Sequence, residues 1–426
     1  MSEPNSALSM QELCTKIAKE AGTAYRGTDG TARSMLPIDK DDLQDIKDVI
    51  NDGIRSFISD SPPQGWQWRK RILFVTTCGP AVEGVVDAAE DAVSIEDATL
   101  EDTYTADDYL IGYWVYILTG TGAGSYAQIT DYTAIGGIVT VAGWLTDNGD
   151  LGGTTPAATD TFVITKYETI NGDVGRYPLP EYFGGEVNGV PSYQKGTPVW
   201  GELRWVTESD IRRLRQMSIS TGETYLLAIR QFEPDSGLSP KRRYELLVYP
   251  DPVEDRVIEF PYTLTFNKLN IESGIVTSVT AGSFIVADST RDEADDYFNG
   301  WRLTIISGTG NTQSALVDSY VAATGSFTFT DPTWFTTEPD TTSVYIVEPP
   351  NNLHPAGQKF DQAVLSACMA KAEQKFENIQ AGHVEEYLQK DLPQAWKADA
   401  RVNLHAVIKA KSIPRPRSFK FLGKVQ

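Results

Sequence analysis

Two stretches of this chain are written in nearly the same letters, DDYLIGYWVYILTGTGAG from Asp107 and DDYFNGWRLTIISGTGNT from Asp295. At an offset of 188 residues Tyr109 matches Tyr297, Gly112 matches Gly300, Ile117 matches Ile305 and Tyr132 matches Tyr320. Gly120-Thr121-Gly122 falls on Gly308-Thr309-Gly310. After a small length change Trp144 lies near Trp334 and Asp160 near Asp340, and each copy closes on an apolar run, TFVITK or SVYIVE. Apolar and polar residues alternate in YWVYIL, GGIVTVAGW, GSFIVAD and GSFTFTD. Alternation at period two, rich in Thr, Val, Ile and aromatics, predicts half-buried strands. A GTG between two such runs fits a hairpin that needs positive φ. The repeat therefore predicts two antiparallel β modules of about 80 residues each, sandwich- or barrel-like.

Charge follows the same boundaries. The chain of 426 residues has a formal net charge of -21, but Ile72 to Thr165 holds fourteen acidic residues and no Lys or Arg. Ile271 to Pro349 holds eleven acidic residues against Arg291 and Arg302, so everything outside the two segments sums to +2. The acidic runs VDAAEDAVSIEDATLEDTYTADD and DSTRDEADD offer carboxylates to Ca²⁺, yet neither has the spacing of a calcium loop. A solvated, self-repelling surface is the expected role. The GTG loops invite a phosphate-loop reading, but the missing Lys-Ser/Thr and the missing helix argue against it.

A chain this long exceeds one ordinary core. With the modules (80–165 and 271–349) set aside, three pieces read as parts of one discontinuous α+β body. Residues 1–79 read as its N-terminal part, helical up to about residue 64. Ser9 and Glu12 spell a capping box, Leu13, Ile17 and Ala21 share a face, and Gly22 stops the helix. A second helix opens at Asp39 and carries Leu43, Ile46, Val49, Ile50, Ile54, Phe57 and Ile58 at three/four spacing before Pro62-Pro63. In GWQWRKR the two tryptophans alternate with polar residues as in a strand. Trp66, Trp68, Arg69 and Arg71 form a candidate interface, with buried anchors beside a basic edge as the plainer role.

Residues 166–270 hold an extended segment, YPLPEYFGGEVNGVPSY, then a short helix capped by Thr207 from which Arg212, Arg213 and Arg215 project. Three strands read as a β meander: ETYLLAIR, RRYELLVYP and RVIEFPYTLTF, the last two separated by PDPVED. Residues 350–408 return to helix, from Ala356 to about Ile379 and from His383 to about Ile408, with a kink expected at Pro393. Neither end has enough apolar surface to stand alone, so the terminal helices are expected to pack on each other, with the two modules as insertions.

Residues 409–426, KAKSIPRPRSFKFLGKVQ, carry six basic residues and no acidic ones. Two prolines favour an extended form, and Phe419 and Phe421 alternate with Lys420 as a strand would. This reads as an arm that orders on a neighbouring subunit or partner. Lys409, Lys411, Arg415, Arg417, Phe419, Lys420, Phe421 and Lys424 are its candidate partner-binding residues.

No catalytic constellation is legible. His354, His383 and His405 lack metal-site spacing and are expected on helix surfaces or at caps; no GxSxG occurs, and the carboxylates are too many to single out an acid–base pair. Cys14, Cys78 and Cys368 are odd in number, far apart and flanked by apolar residues, the pattern of buried free thiols. No run is long and apolar enough for a membrane span, and no secretory signal is legible at the N-terminus.

YPLPEYFGG, VTESDIRRLRQ, YLLAIR with RRYELLVYPDPVEDRVIEFPYTLTF, and LHPAGQKFDQAVLSACMAKAEQKFEN together resemble phage head-to-tail connector proteins, also called adaptors or neck proteins. The repeated DDY…GTG unit is similar to β domains carried by many phage virion proteins. The resemblance implies a structural protein without catalytic residues, cofactor or metal. It implies a homo-oligomeric ring, commonly a dodecamer, docked on the portal and joined to the tail or a downstream neck protein. Double-stranded DNA would pass through transiently and without sequence preference, and carboxylates facing a channel would keep it from sticking. The implied place is the virion neck, after assembly in the host cytoplasm, with no membrane contact. The alternative is another tail or baseplate part whose β modules bind host glycans; an acidic β-rich hydrolase comes third.

Overall fold

The computed structural model describes residues 7–25, 36–88, 91–146, 149, 151–197, 202–217, 221–232, 243–280, 285–329, 335–377 and 382–400. The fold is mixed α and β, with helices at both ends. The chain divides into two compact units, Met1–Trp68 with Phe266–Gln426 and, separately, Arg69–Thr265.

The first unit is built on helices from opposite ends of the sequence. Helix Met10–Ala21 starts on the capping box, Ser9 Oγ accepting from the Glu12 N–H and the Glu12 carboxylate from the Ser9 N–H. Gly22 ends it at φ 78°, a left-handed cap that costs glycine little. Helix Lys40–Ser59 opens on Asp39, whose carboxylate accepts the N–H groups of Asp41 and Asp42. Its apolar stripe packs on helix Asp361–Ala372 in one core. Trp66 plugs that core, its ring 4.8 Å from Phe57 and 5.8 Å from Phe360, while Nε1 donates to the Ile58 carbonyl at 3.1 Å.

The C-terminal helices are less regular than their spacing suggests. A 3₁₀ turn, Gln358–Phe360, precedes Asp361–Ala372, and a π segment, Glu373–Glu377, follows it. The next helix runs Gly382–Glu386, widens to a π segment at Tyr387–Asp391 and resumes at Leu392–Ala400. The disturbance expected from Pro393 is thus a widening just before it, where a missing donor and a bulky ring are most easily accommodated. Residues 401–408, with Leu404 and His405, lie outside the described residues. So does the whole arm 409–426, with Lys409, Lys411, Arg415, Arg417, Phe419, Lys420, Phe421 and Lys424, and so does Trp334.

The same unit carries a seven-stranded antiparallel sheet in the order Glu272–Ile275, Val344–Glu348, Arg302–Ser307, Ser314–Val321, Ser326–Phe329, Ile285–Ala287, Ser278–Thr280. It is fastened to the helices by apolar and polar contacts together. Ile271 and Ile346 enter the helical core. Asn51 brackets the Leu269 backbone, donating to its carbonyl and accepting its N–H, both at 3.0 Å.

In the second unit a six-stranded sheet has the matching order Val82–Val85, Thr161–Thr165, Trp114–Thr119, Tyr126–Thr133, Ile138–Val141, Ser94–Glu96. The equivalence reaches the irregularities. Ladders slip between Ile117 and Thr119 and between Ile305 and Ser307, then between Ile129 and Asp131 and between Val317 and Ser319. Asp108 and Asp296 hold positive φ, as do Gly120 and Gly308 in the GTG loops. The sequence repeat is a repeat of fold.

The rest of this unit is a two-sheet sandwich. Strand Arg256–Leu264 lies between Lys70–Thr77 on one side and Phe183–Val187 with Ser192–Tyr193 on the other. The other sheet runs Arg204–Trp205, Leu226–Phe232, Arg243–Tyr249, Arg176–Pro178. Val75, Ile258, Phe260, Leu227, Leu246 and Val248 fill the space between. Two expectations are corrected here. The three strands are not a meander: Leu226–Phe232 and Arg243–Tyr249 form a hairpin, but Arg256–Leu264 crosses to the facing sheet. Pro250 and Pro252 cannot donate to a continuing ladder, and Asp251-Pro252 pairs instead with Thr221-Gly222. Trp66 and Trp68 also precede the strand, which starts at Lys70. Helix Glu208–Met217 is capped by the Thr207 hydroxyl as expected.

Candidate functional site

Charged groups inside the fold were the least legible part of the sequence. In the first unit Lys47 of helix Lys40–Ser59 is buried and ion-paired with Glu272. Arg291, with a fully buried side chain, donates from Nε to the Tyr345 hydroxyl at 2.7 Å and from Nη1 to Glu293 at 2.5 Å. Its Nη2 donates to the Ser273 carbonyl at 2.7 Å, and Tyr345 in turn donates to Asp288 at 2.8 Å. Burial alone would weaken this guanidinium's hold on its proton; Tyr345, Glu293 and Glu272 outweigh it and raise its pKa. The first module has Leu100, also buried, at the corresponding place after its Asp-Ala-Thr turn.

The turn carboxylates repeat between modules. Asp97 accepts the Thr99 N–H at 2.8 Å and hydroxyl at 2.7 Å; Asp288 accepts the Thr290 N–H at 3.0 Å and hydroxyl at 2.7 Å. Asp160 and Asp340 each tie down a GTG loop. Burial raises the Asp160 pKa, but the N–H groups of Gly122, Ala157 and Thr121 outweigh it and leave it low. The hydroxyls of Thr342 and Thr309 likewise hold Asp340 low. Two acids of the runs expected to form a solvated surface, Asp97 and Asp288, are instead buried and satisfy backbone donors, as does buried Asp160.

The second unit contains a cleft with two lobes. Tyr116 and Tyr126, stacked at 5.5 Å and 7°, line both lobes together with Asn171 and Phe232. The larger lobe is bordered by Arg176 and Arg230, both bonded to the fully buried Glu245. The other, of about 530 Å³, is lined by aromatic rings, by four consecutive residues, Leu73–Thr76, and by Glu168, Glu181 and Arg243. Glu168 is open to solvent at the cleft wall, yet the surrounding protein lifts its pKa against the opposing pull of Arg243. The lining of this lobe thus combines aromatic rings with two carboxylates and one guanidinium.

The candidate interface residues are not brought together as one exposed patch. Trp66 lies in the core, and the Gln67 and Trp68 N–H groups donate to buried Asp399 at 2.7 and 3.1 Å. Arg69 donates from Nε and Nη2 to the Leu264 carbonyl. Arg71 is exposed. Arg212 and Arg213 project as expected, whereas Arg215 turns inward to Asp173 and Asp251. His354 corrects the expectation of a surface histidine: it is buried, and Nε2 lies 2.6 Å from Asp361. Burial lowers its pKa, with Asp361 pulling the other way. The three cysteines are free and buried, and burial pushes Cys368 up to about 12.

Among the described residues no three His, Cys, Asp or Glu side chains are grouped to hold a metal ion, and no helix is long and apolar enough to cross a membrane. Comparison of the chain with protein-family models, with curated proteins and with solved structures finds no match.

Proposed function

We propose that this chain is a virion structural protein, a phage head-to-tail connector that assembles as a homo-oligomeric ring, docks on the portal and joins it to the tail or to a downstream neck protein. Double-stranded DNA passes through the ring, and the role is structural, without cofactor or catalytic residues. The observation that supports this most is the closure of helices from opposite ends of the sequence into one core around Phe57, Trp66 and Phe360. It accompanies the connector-like motifs between Tyr177 and Asn378 and two β modules of one design. In this reading the modules are insertions that decorate the ring. Their acidity keeps DNA phosphates from adhering wherever the two come near. The arm 409–426 fastens the subunit to the portal or to a neighbouring copy.

The experiment is co-sedimentation of the purified chain with a portal assembly, followed by imaging of the complex. A ring stacked coaxially on the portal is the expected result. A chain that stays monomeric and leaves the portal unaltered at micromolar concentration contradicts the assignment.

A further inference from the structure

Among the described residues strand Lys70–Thr77 has a single neighbouring strand, Arg256–Leu264. The Leu264 N–H donates to the Arg69 carbonyl at 3.0 Å, which fixes the alternation along the whole pair. Leu73, Val75 and Thr77 bond across to Arg256–Leu264, while Ile72, Phe74 and Thr76 turn their N–H and C=O groups outward. Those outward groups find no hydrogen-bond partner among the described residues. The Ile72 and Phe74 side chains are 59% and 55% exposed. An open strand edge with apolar side chains is a template for another strand.

The groove beside this edge is already shaped. Leu73, Phe74, Val75 and Thr76 all line the cavity of about 530 Å³. Successive side chains of a strand point to opposite faces, so four in a row border one cavity along their shared backbone edge. Tyr116 and Tyr167 form its aromatic wall, with Glu168 and Glu181 beside them. With Arg243 the only cation among the lining residues, the two carboxylates leave the lining net negative. The complement is in the chain's own sequence. Residues 409–426 have six basic residues and no acid, and Phe419 and Phe421 are spaced to share one face of a strand.

We propose that the groove along Lys70–Thr77 receives the segment Arg415–Lys424 of a second copy, which adds to the open edge as a strand with Phe419 and Phe421 seated in the aromatic cavity. Groove and segment are different surfaces, so a one-way exchange between copies is head-to-tail, the type of contact from which a ring is built when its rotation closes. The choice of a second copy over the same chain rests on the ring reading above.

Hydrogen exchange at single amides of the full-length chain tests this. The Ile72, Phe74 and Thr76 amides should exchange slowly. Phe419→Asp with Phe421→Asp should speed them roughly tenfold or more and leave Leu73 and Val75 unchanged. Fast exchange at the three amides in the native chain, or slow exchange that survives the double substitution, overturns strand addition by this segment. In a second arm, labelled chains carrying the double substitution are mixed with unlabelled Phe74→Asp chains, whose own Leu73 and Val75 amides report an intact fold. Restored protection in the labelled chains supports donation between copies. Protection in the native chain without restoration on mixing places the segment in its own groove and overturns the second-copy claim. Portal co-sedimentation is read independently, so a failure there leaves the amide result standing.

Discussion

Gly53 lies directly against Cys368: a Cβ built at Gly53 would sit 2.6 Å from the Cys368 Cα and 2.7 Å from its Sγ. The obstacle is partly backbone, so no rotamer change relieves it, and the helices that join the two ends of the chain would have to separate. Gly53→Ala gains helix propensity but forces that separation, for a net loss of about 1–3 kcal/mol. Urea unfolding monitored by tryptophan fluorescence should show a lowered midpoint. A midpoint equal to or above the native one would mean the helices have room to spare.

Matching glycines test the equivalence of the two β modules. A Cβ at Gly137 would meet the Asp97 carbonyl oxygen at 2.0 Å, and one at Gly325 the Asp288 carbonyl oxygen at 2.0 Å, with φ of 62° and 61°. Gly137→Ala and Gly325→Ala should each destabilise by more than about 2 kcal/mol, through left-handed strain and collision together. Calorimetry of the two variants reads this directly; a silent substitution in one module would end the claim that both turns do the same job.

Arg291→Met should be among the costliest single changes in the first unit. It leaves Glu272, Glu293 and Asp288 without their shared cation in a mostly enclosed site, a loss of about 3–5 kcal/mol. Thermal melting followed by circular dichroism checks it. The companion Leu100→Arg should also destabilise, because the first module offers the charge an apolar site among Val86, Ile95 and Tyr132.

His354 gives a pH dependence with a definite sign. Its folded pKa is depressed below the ordinary value near 6.5, so the unfolded chain binds the extra proton more readily. Its contribution is present above pH 6.5 and is lost as pH falls from there towards the folded pKa. Unfolding free energies measured across that window should decline for the native chain and decline less for His354→Asn. Parallel profiles for the two proteins would assign the acid sensitivity elsewhere.

What the sequence announced was local. Hairpin glycines, the Ser9–Glu12 box, the Asp39 and Thr207 caps and the alternating runs all act within a few residues, and each stands where its chemistry places it. Pairing between distant strands was not legible. The alternation in RVIEFPYTLTF suits either sheet, and only the proline-containing turn before it hints that the chain changes partner. Buried charge was hidden for a related reason: Glu245, held by Arg176 and Arg230, looks like any surface acid until three distant segments meet. The cleft is equally non-local, since the walls of its aromatic lobe come from residues 73–76, Tyr116 and Tyr126, residues 167–171 and 177–181, Phe232 and residues 243–244.

Carrying two copies of one sheet exposes a chain to misassembly while it folds, since strands of one copy could be captured by the other. The divergence between the copies works against that error. Trp114 stands opposite Thr165 in one central ladder, and Arg302 opposite Glu348 in the other. A crossed pairing would set tryptophan against glutamate and strand an arginine beside threonine, so each nascent sheet carries a password that its twin cannot supply.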